Sequence, residues 1–180
     1  MKIAVFASGT GTTLQALMDN QVRYDYQISL VVVNRVCQAR DRAEDTGIST
    51  LLSKDWMQID QVLAEHQIQM IVLAGFLAII PQWFCEKWDN KIINIHPALL
   101  PKYGGKGFYG EHVHEAVVAA KEEFSGITIH YVNECYDSGA IIFQAKVALE
   151  EGETADSLAA KIHKLEYQHY PEVIEELIKK

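Results

Sequence analysis

An amide and an imidazole lie two residues apart at the end of a predicted strand. The segment 92–97 reads Ile-Ile-Asn-Ile-His-Pro, so Asn94 and His96 point to the same side of that strand. An amide donor beside an imidazole can stabilise a developing oxyanion and move a proton. A lone histidine is more often structural than catalytic. Because Asn94 and Pro97 lie beside it at a strand's carboxyl end, a catalytic role for His96 becomes about as probable as a structural one.

Asp137 is a candidate partner for His96. It lies in the segment Tyr-Asp-Ser-Gly at 136–139, between two apolar runs. An aspartate in such a connection is usually a turn former, but it could instead face a cleft. A carboxylate close to an imidazole favours its charged form and raises its pKa. If the fold joins the two side chains, we expect His96 to be protonated near neutral pH and ready to donate to an oxyanion.

A glycine loop follows the first apolar run. Residues 8–13 read Ser-Gly-Thr-Gly-Thr-Thr, and helical spacing begins at Thr12. Glycines let the backbone approach a ligand, and a helix N-terminus offers free N–H groups and partial positive charge to a phosphate. Leu14 replaces the third glycine of a dinucleotide fingerprint, so a monophosphate fits better than NAD. The alternative is a plain turn in which a threonine caps the helix.

An unusually apolar turn follows a later strand. Residues 73–80 read Leu-Ala-Gly-Phe-Leu-Ala-Ile-Ile, although connections after strands are usually polar. An apolar wall in a cleft can hold a flat heterocycle. From composition alone, however, additional core is the simpler interpretation.

Alternating apolar runs and helical spacing predict the elements that position these turns. We predict strands at 3–7, 28–33, 50–52, 70–74, 91–95, 128–132 and 140–147, and helices at 12–18, 39–46, 59–66, 82–88 and 112–121. A long helix starts at Thr154, and Pro171 is expected to end or kink it before a short helix at 173–178.

This order predicts an α/β fold. The sheet should be Rossmann-like and mainly parallel with helices on both faces, and its last two strands should be antiparallel because no helix separates them. Such folds bind ligands at the carboxyl ends of their strands. The turns after Ala7, Ala74 and Ile95 should therefore share one cleft.

Composition limits the class of protein. A chain of 180 residues with 49% hydrophobic content suits one domain covering 1–180 with a sizeable core. A formal net charge of −8 argues against nucleic acid and anionic membranes as partners, but allows a small anionic substrate.

The number and spacing of the cysteines and the N-terminal segment together predict the cellular compartment of the protein. Cys37, Cys85 and Cys135 are odd in number and widely spaced, which suits neither a disulfide framework nor a zinc ribbon. The N-terminal apolar run is short and enters the glycine loop, so it predicts a strand rather than a signal peptide. Without a run that could span a bilayer, the expected location is the cytoplasm.

Four motifs occur in the order in which one enzyme family carries them. They read Gly-Thr-Gly-Thr-Thr at 9–13, Ala-Gly-Phe-Leu at 74–77, Asn-Ile-His-Pro-Ala-Leu-Leu-Pro at 94–101 and Asp-Ser-Gly at 137–139. With them the chain resembles the phosphoribosylglycinamide formyltransferases, folate-dependent enzymes of purine synthesis, from Met1 to about Ile178. The resemblance implies a single formyltransferase domain.

The resemblance also implies substrates and roles. The amine of glycinamide ribonucleotide would attack the formyl carbon of 10-formyltetrahydrofolate, and no metal would be required. Asn94 and protonated His96 would stabilise the tetrahedral oxyanion, while Asp137 holds the charge on His96. His112, His114 and His130 would support the site. The protein would act on small molecules as a monomer or homodimer.

Ligand contacts follow from the same resemblance. The substrate phosphate would bind Gly11, Thr12 and Thr13, and the ribose hydroxyls would bind Glu166, which could otherwise be a solvated helix carboxylate. The resemblance implies that eight residues bind folate. They are Leu73, Leu77, Ala78, Ile79, Ile80, Asn94, Val132 and Tyr136.

The chain departs from the family at three places. Thr12-Thr13 stands where many members have Ser-Asn, which makes the phosphate contacts less certain. The stretch 53–59 is short and offers only Lys54 for an arginine that many members place near the folate tail. The glycine-rich stretch 104–110 could serve as a mobile lid.

Alternative functions remain open at this point. A deformylase would send water to the same formyl carbon, and a sugar-nucleotide formyltransferase would use a sugar amine. A non-catalytic nucleotide-binding module would need the glycine loop but neither His96 nor Asp137.

Overall fold

A computed structural model describes residues 1–180. The strands are β1 (Lys2–Ala7), β2 (Gln27–Val33), β3 (Thr50–Leu52), β4 (Met70–Leu73), β5 (Ile92–His96), β6 (Phe124–Tyr131) and β7 (Ile141–Ala148). The helices are α1 (Thr12–Asn20), α2 (Gln38–Asp45), α3 (Trp56–Glu65), α4 (Gln82–Lys87), α5 (Glu111–Ala119) and α6 (Ala155–Ile178).

All seven strands form one sheet in the order β3-β2-β1-β4-β5-β6-β7. The pairs among β1 to β5 are parallel, and β6 and β7 join antiparallel at one edge. The predicted fold class is therefore confirmed. Strand β6 begins four residues before its predicted start. The small residues Ser125 and Gly126 interrupt the apolar run there, but they pair with Val147 and Lys146 of β7, which extends the strand back to Phe124.

The central strands are buried on both faces, which explains their continuous apolar runs. In β1, Ile3 and Val5 belong to a cluster of 27 buried residues that also includes side chains of α1, α5 and α6. Ala4 and Phe6 belong to a cluster of 13 buried residues with side chains of α3 and α4. Helices thus cover both faces, and the sheet's carboxyl edge is held rigidly.

From the sequence we expected Pro171 to end or kink the last helix before a short helix at 173–178. The helix does not end there, because α6 runs from Ala155 to Ile178 with Pro171 inside it. A proline costs an interior helical turn about 3 kcal/mol. Burial of Tyr170, Val173 and Ile174 offsets that cost, since each large apolar side chain contributes about 1.5–3 kcal/mol. The Tyr170 hydroxyl also donates to the Leu73 carbonyl at 2.9 Å, which fixes α6 against the sheet.

The structure also bears on membrane-spanning segments and on the three cysteines. None of the helices combines the length and apolarity needed to cross a bilayer. The three cysteines are free thiols, with Cys85 buried, Cys37 half-buried and Cys135 exposed.

Candidate active site

The turns after β1 and β4 are joined at the carboxyl edge of the sheet. The Ser8 N–H donates to the Gly75 carbonyl at 3.1 Å, and the Leu77 N–H donates to the Ser8 hydroxyl at 2.9 Å. Beside them, β5 ends at His96. The three turns predicted to share a cleft therefore lie next to one another.

A cavity of about 600 Å³ opens at this edge, and we call it the His96 cavity. Its lining combines the ends of β4 and β5 with two loops: Arg35, residues 75–77, residues 94–97, residues 105–110, Tyr136 and Asp137. Asn94, His96 and Asp137 thus face a single space. The glycine-rich stretch that could act as a lid forms one of its walls.

His96 is held in one tautomer. Its Nε2 lies 2.7 Å from the carbonyl oxygen of Tyr103, and a carbonyl can only accept, so Nε2 carries the proton. Its Nδ1 lies 3.5 Å from Oδ1 of Asp137. Although the residue is only 4% exposed, it borders the cavity. Nδ1 is therefore the nitrogen that can gain or lose a proton.

The expectation that His96 is protonated near neutral pH is wrong for this structure. Burial lowers the pKa of His96 below its usual value of 6.5, and this effect outweighs the carboxylate of Asp137 and the Tyr103 carbonyl, which both raise it. His96 is therefore neutral at pH 7. A neutral imidazole with an open Nδ1 is a proton acceptor rather than a donor.

Asp137 is fixed by its backbone and by one N–H group. Its φ of 51° places it in the left-handed region, which aspartate tolerates better than most residues. Gly105 donates its N–H to Oδ2 at 2.9 Å. Burial raises the pKa of Asp137, but the Gly105 N–H favours the charged form, and the pKa of Asp137 lies below its usual value. The group is a carboxylate at neutral pH.

Asn94 is oriented by His130, which lies opposite it in the antiparallel pair of β5 and β6. Nδ1 of His130 lies 2.8 Å from the Tyr131 carbonyl and must carry the proton. Its Nε2 then accepts from Nδ2 of Asn94 at 3.1 Å. The amide keeps its second N–H free for a ligand. The sequence analysis gave His130 only a supporting role. The pairing of β5 with β6 places His130 beside Asn94, and no local sequence pattern predicts that pairing.

An apolar pocket lies beside the His96 cavity, between the turn after β4 and the connection of β6 to β7. Seven of the eight residues implied for folate line it: Leu73, Ala78, Ile79, Ile80, Asn94, Val132 and Tyr136. The eighth, Leu77, lines the His96 cavity instead. The lining also includes residues that adjoin those stretches: Phe76, Asn133, Glu134 and Cys135.

The glycine loop has the form expected for anion binding. Gly11 adopts a φ of 73° and precedes α1, whose first turn receives no side-chain cap. Thr13 donates to Oε2 of Glu166 at 3.4 Å, which brings two predicted binding residues together. Gly11, Thr12 and Thr13 do not line the His96 cavity. Arg35 bridges the two regions, because its Nε donates to the Ser8 carbonyl at 2.5 Å and its side chain lines the cavity.

Three cationic side chains lie near the site, and of these the sequence analysis named only Lys54. Lys54 lines a cleft of about 280 Å³ with Phe76, Leu77 and Ala78, next to the apolar pocket. Lys106 and Arg35 both line the His96 cavity, and neither of these two side chains forms a salt bridge with a protein carboxylate. Nothing in the sequence pattern pointed to Arg35 or Lys106. Across the described chain, no group of three or more histidine, cysteine or carboxylate residues is arranged to hold a metal ion.

Glu166 is buried on α6 and its desolvation raises its pKa from 4.5 to about 7. The folded state therefore retains a proton that the unfolded state loses above pH 4.5, and this contribution to stability disappears as pH rises through 7. We expect Glu166→Gln to stabilise the protein at pH 8 by up to about 3 kcal/mol and by much less at pH 5. Urea unfolding at both pH values measures the difference.

The matched control for this prediction is Glu176→Gln, because Glu176 is an exposed carboxylate on the same helix. It should leave the free energy of unfolding unchanged at both pH values. Equal stabilities of wild type and Glu166→Gln at pH 8 would contradict a raised pKa.

Comparison with known proteins identifies the family. The sequence model described as formyl transferase matches residues 1–174. The chain belongs to the formyl transferase family. The formyl transferase match includes Asn94, His96, Asp137, Glu166 and the glycine loop.

Named relatives and a solved structure agree with the family. The chain is 36% identical to a chloroplastic phosphoribosylglycinamide formyltransferase of Vigna unguiculata, and 34% identical to phosphoribosylglycinamide formyltransferase of Bacillus subtilis. Each alignment covers 98% of this chain, but 60% of the former relative and 94% of the latter. The structure of phosphoribosylglycinamide formyltransferase from Anaplasma phagocytophilum superimposes with a TM-score of 0.92 at 35% identity, covering 100% of this chain and 88% of that one.

Proposed function

We propose that the protein transfers the formyl group of 10-formyltetrahydrofolate to the amine of N1-(5-phosphoribosyl)glycinamide in purine (IMP) biosynthesis. The observation that carries this proposal is the convergence of Asn94, His96 and Asp137 on one cavity, between the apolar pocket and the glycine loop. The names of the full-length relatives support the choice of reaction.

The first chemical step uses His96 as a base. The substrate amine attacks the formyl carbon, and Nδ1 of neutral His96 takes the proton that the nitrogen loses as the new C–N bond forms. The carbonyl oxygen becomes an oxyanion, which the free N–H of Asn94 and the new imidazolium stabilise. The carboxylate of Asp137, 3.5 Å away, stabilises the imidazolium.

The second step reverses the proton transfer. The tetrahedral carbon re-forms its carbonyl and its bond to N10 of the folate breaks. The imidazolium returns its proton to that leaving nitrogen, so His96 ends neutral and no proton is gained or lost overall. Because burial lowers the pKa of His96, the imidazolium gives up its proton readily.

Donor binding fits the apolar pocket. A flat pterin can lie between the side chains of Ile80 and Val132, with its formyl group towards Asn94. The folate tail would leave through the cleft of Leu77 and Ala78, where Lys54 offers a positive charge to its carboxylates.

Acceptor binding fits the glycine loop and its surroundings. The free N–H groups at the first turn of α1 can bind a phosphate, and the ribose hydroxyls can donate to Glu166 beside Thr13. Arg35 and Lys106 add positive charge on the path from the loop to His96, where the protein is otherwise acidic.

The test is an assay of purified protein with 10-formyltetrahydrofolate and three acceptors. Formyl transfer to glycinamide ribonucleotide that greatly exceeds transfer to water or to a sugar-nucleotide amine supports the proposal. Preferred hydrolysis would identify a deformylase, and preference for the sugar amine would identify a sugar-nucleotide formyltransferase. Binding of the ribonucleotide without any turnover would identify a non-catalytic module.

Gly11→Ala should impair acceptor binding. A Cβ at Gly11 would meet the Ala39 Cα at 2.7 Å, and its φ of 73° strains any residue with a side chain. The loop must move, and the KM for the ribonucleotide should rise about tenfold or more, equivalent to about 1.4 kcal/mol. The KM for the folate donor should change little.

Gly9→Ala is the control within the same loop, because a Cβ there meets nothing within 4 Å. It should have a KM close to that of wild type. If Gly11→Ala raised both KM values equally, or neither, the loop would not be the phosphate site.

A further inference from the structure

One short loop segment contacts two members of the proposed catalytic group. The carbonyl of Tyr103 accepts from Nε2 of His96 at 2.7 Å, and the N–H of Gly105 donates to Oδ2 of Asp137 at 2.9 Å. A displacement of this segment therefore moves the acceptor that sets the His96 tautomer and the donor that orients Asp137 together. We call residues 102–105 the positioning segment.

The positioning segment is close-packed on its inner side and strained in its backbone. A Cβ at Gly104 would collide with the Leu100 side chain and lie 3.2 Å from Cβ of Asp137. Tyr103 has a φ of 56°, in the left-handed region that a bulky residue rarely adopts. Such a conformation persists only where surrounding contacts enforce it. Contacts on the outer side of the segment can help to enforce it.

Those outer contacts converge on one carboxylate. Oε1 of Glu122 accepts from the Tyr103 hydroxyl and from Nζ of Lys102, both at 2.8 Å. The hydrogen bond from Lys102, followed by that from Tyr103, lowers the pKa of Glu122, so it is charged at neutral pH. Glu122 follows α5, which is fixed by the burial of Val113 and Val117.

The Tyr103 side chain packs against the larger buried cluster, but the outer side of the segment also borders a void. A cavity of about 360 Å³ lies there, lined by Lys102, Tyr103, Glu122 and Ser125 among others. Apolar packing is therefore incomplete at this place, and the ring of Tyr103 has an aromatic neighbour only in Phe108, at 6.1 Å. The hydrogen bonds to Glu122 are the directional contacts that remain.

We propose that Glu122 is a positioning residue: through Tyr103 and Lys102 it holds the carbonyl that sets the His96 tautomer and the N–H that orients Asp137. The role of Glu122 in turnover rests on the proposed formyl transfer, whereas its effect on His96 does not. Glu122 touches neither substrate nor reacting atoms, and it acts on kcat rather than on either KM.

Glu122→Ala should reduce kcat about fivefold or more, because small misplacements of catalytic groups are costly, and leave both KM values within twofold. Tyr103→Phe, which keeps the backbone carbonyl, should have a similar effect. Since both changes break the same hydrogen bond between Tyr103 and Glu122, the double variant should be no slower than the slower single variant. Glu122→Gln keeps an acceptor oxygen and should recover most of the rate. The control Glu123→Ala removes an adjacent exposed carboxylate that makes no side-chain hydrogen bond, and it should match wild type.

The second readout is the titration of His96, followed by the ¹⁵N signals of its imidazole and assigned by their loss in His96→Gln. Because the Tyr103 carbonyl raises the pKa of His96, Glu122→Ala and Tyr103→Phe should both move its titration to lower pH. This measurement needs no turnover, so it decides the proposal even if wild type transfers no formyl group. Unchanged titration together with kcat within twofold of wild type in the folded variants would overturn it.

Discussion

His96→Ala is expected to lower kcat for formyl transfer by about 10²–10⁴-fold, the range typical for loss of a general base. His130 is the other histidine beside Asn94 and Asp137, but it does not line the His96 cavity and its Nε2 already accepts from Asn94. The attacking amine would have to lose its proton to water, and the oxyanion would lose a neighbouring imidazolium. Pre-steady-state measurement of formyl transfer, with both substrates saturating, isolates the chemical step from binding.

Loss of fold must be separated from loss of chemistry in this variant. Removing the imidazole leaves the half-buried Tyr103 carbonyl without its donor, which costs about 1–3 kcal/mol. His96→Gln can still donate to that carbonyl, so it should be more stable than His96→Ala yet equally slow. His66→Ala, at the end of α3 and outside the cavity, is the control for removal of a histidine. A rate near wild type in folded His96→Gln would remove His96 from the mechanism.

The sequence predicted the parts of the site that depend on strand direction. Asn94 and His96 share a side because a strand has a period of two, and the three turns meet because parallel strands end at one edge. The strand at 50–52 was predicted with its observed bounds, since apolar runs between glycine or polar turns are local signals. These inferences needed only the order of residues along the chain.

What the sequence did not predict depends on burial and on contacts between distant segments. The pKa of His96 falls because the folded protein excludes water from it, and the depth of a side chain cannot be read from its neighbours in sequence. The contact of Tyr103 with Glu122 joins a loop to the end of α5, 19 positions later. The unbroken course of α6 through Pro171 likewise reflects packing that outweighs a local preference.

Asp137→Asn is expected to lower kcat by about tenfold to a hundredfold, equivalent to about 1.4–2.7 kcal/mol. Asparagine is the appropriate substitution because it tolerates the left-handed φ of 51° and keeps an oxygen for the Gly105 N–H. What it removes is the negative charge that stabilises the imidazolium formed during attack. Asp137→Ala would add backbone strain to the loss of charge, so its rate would be harder to interpret.

The dependence on pH distinguishes this role from a structural one. The Asp137 carboxylate raises the pKa of His96, so its removal lowers that pKa further. In the proposed mechanism the neutral imidazole is the base, so kcat/KM should rise with pH through the pKa of His96 and then level off. In Asp137→Asn the rise should therefore move to lower pH while the plateau falls. Ser138→Ala, next to Asp137 but bonded only to Asn133 and Cys135, should change neither the position of the rise nor the plateau. A lower plateau without a shift would mean that Asp137 orients groups without acting on the charge of His96.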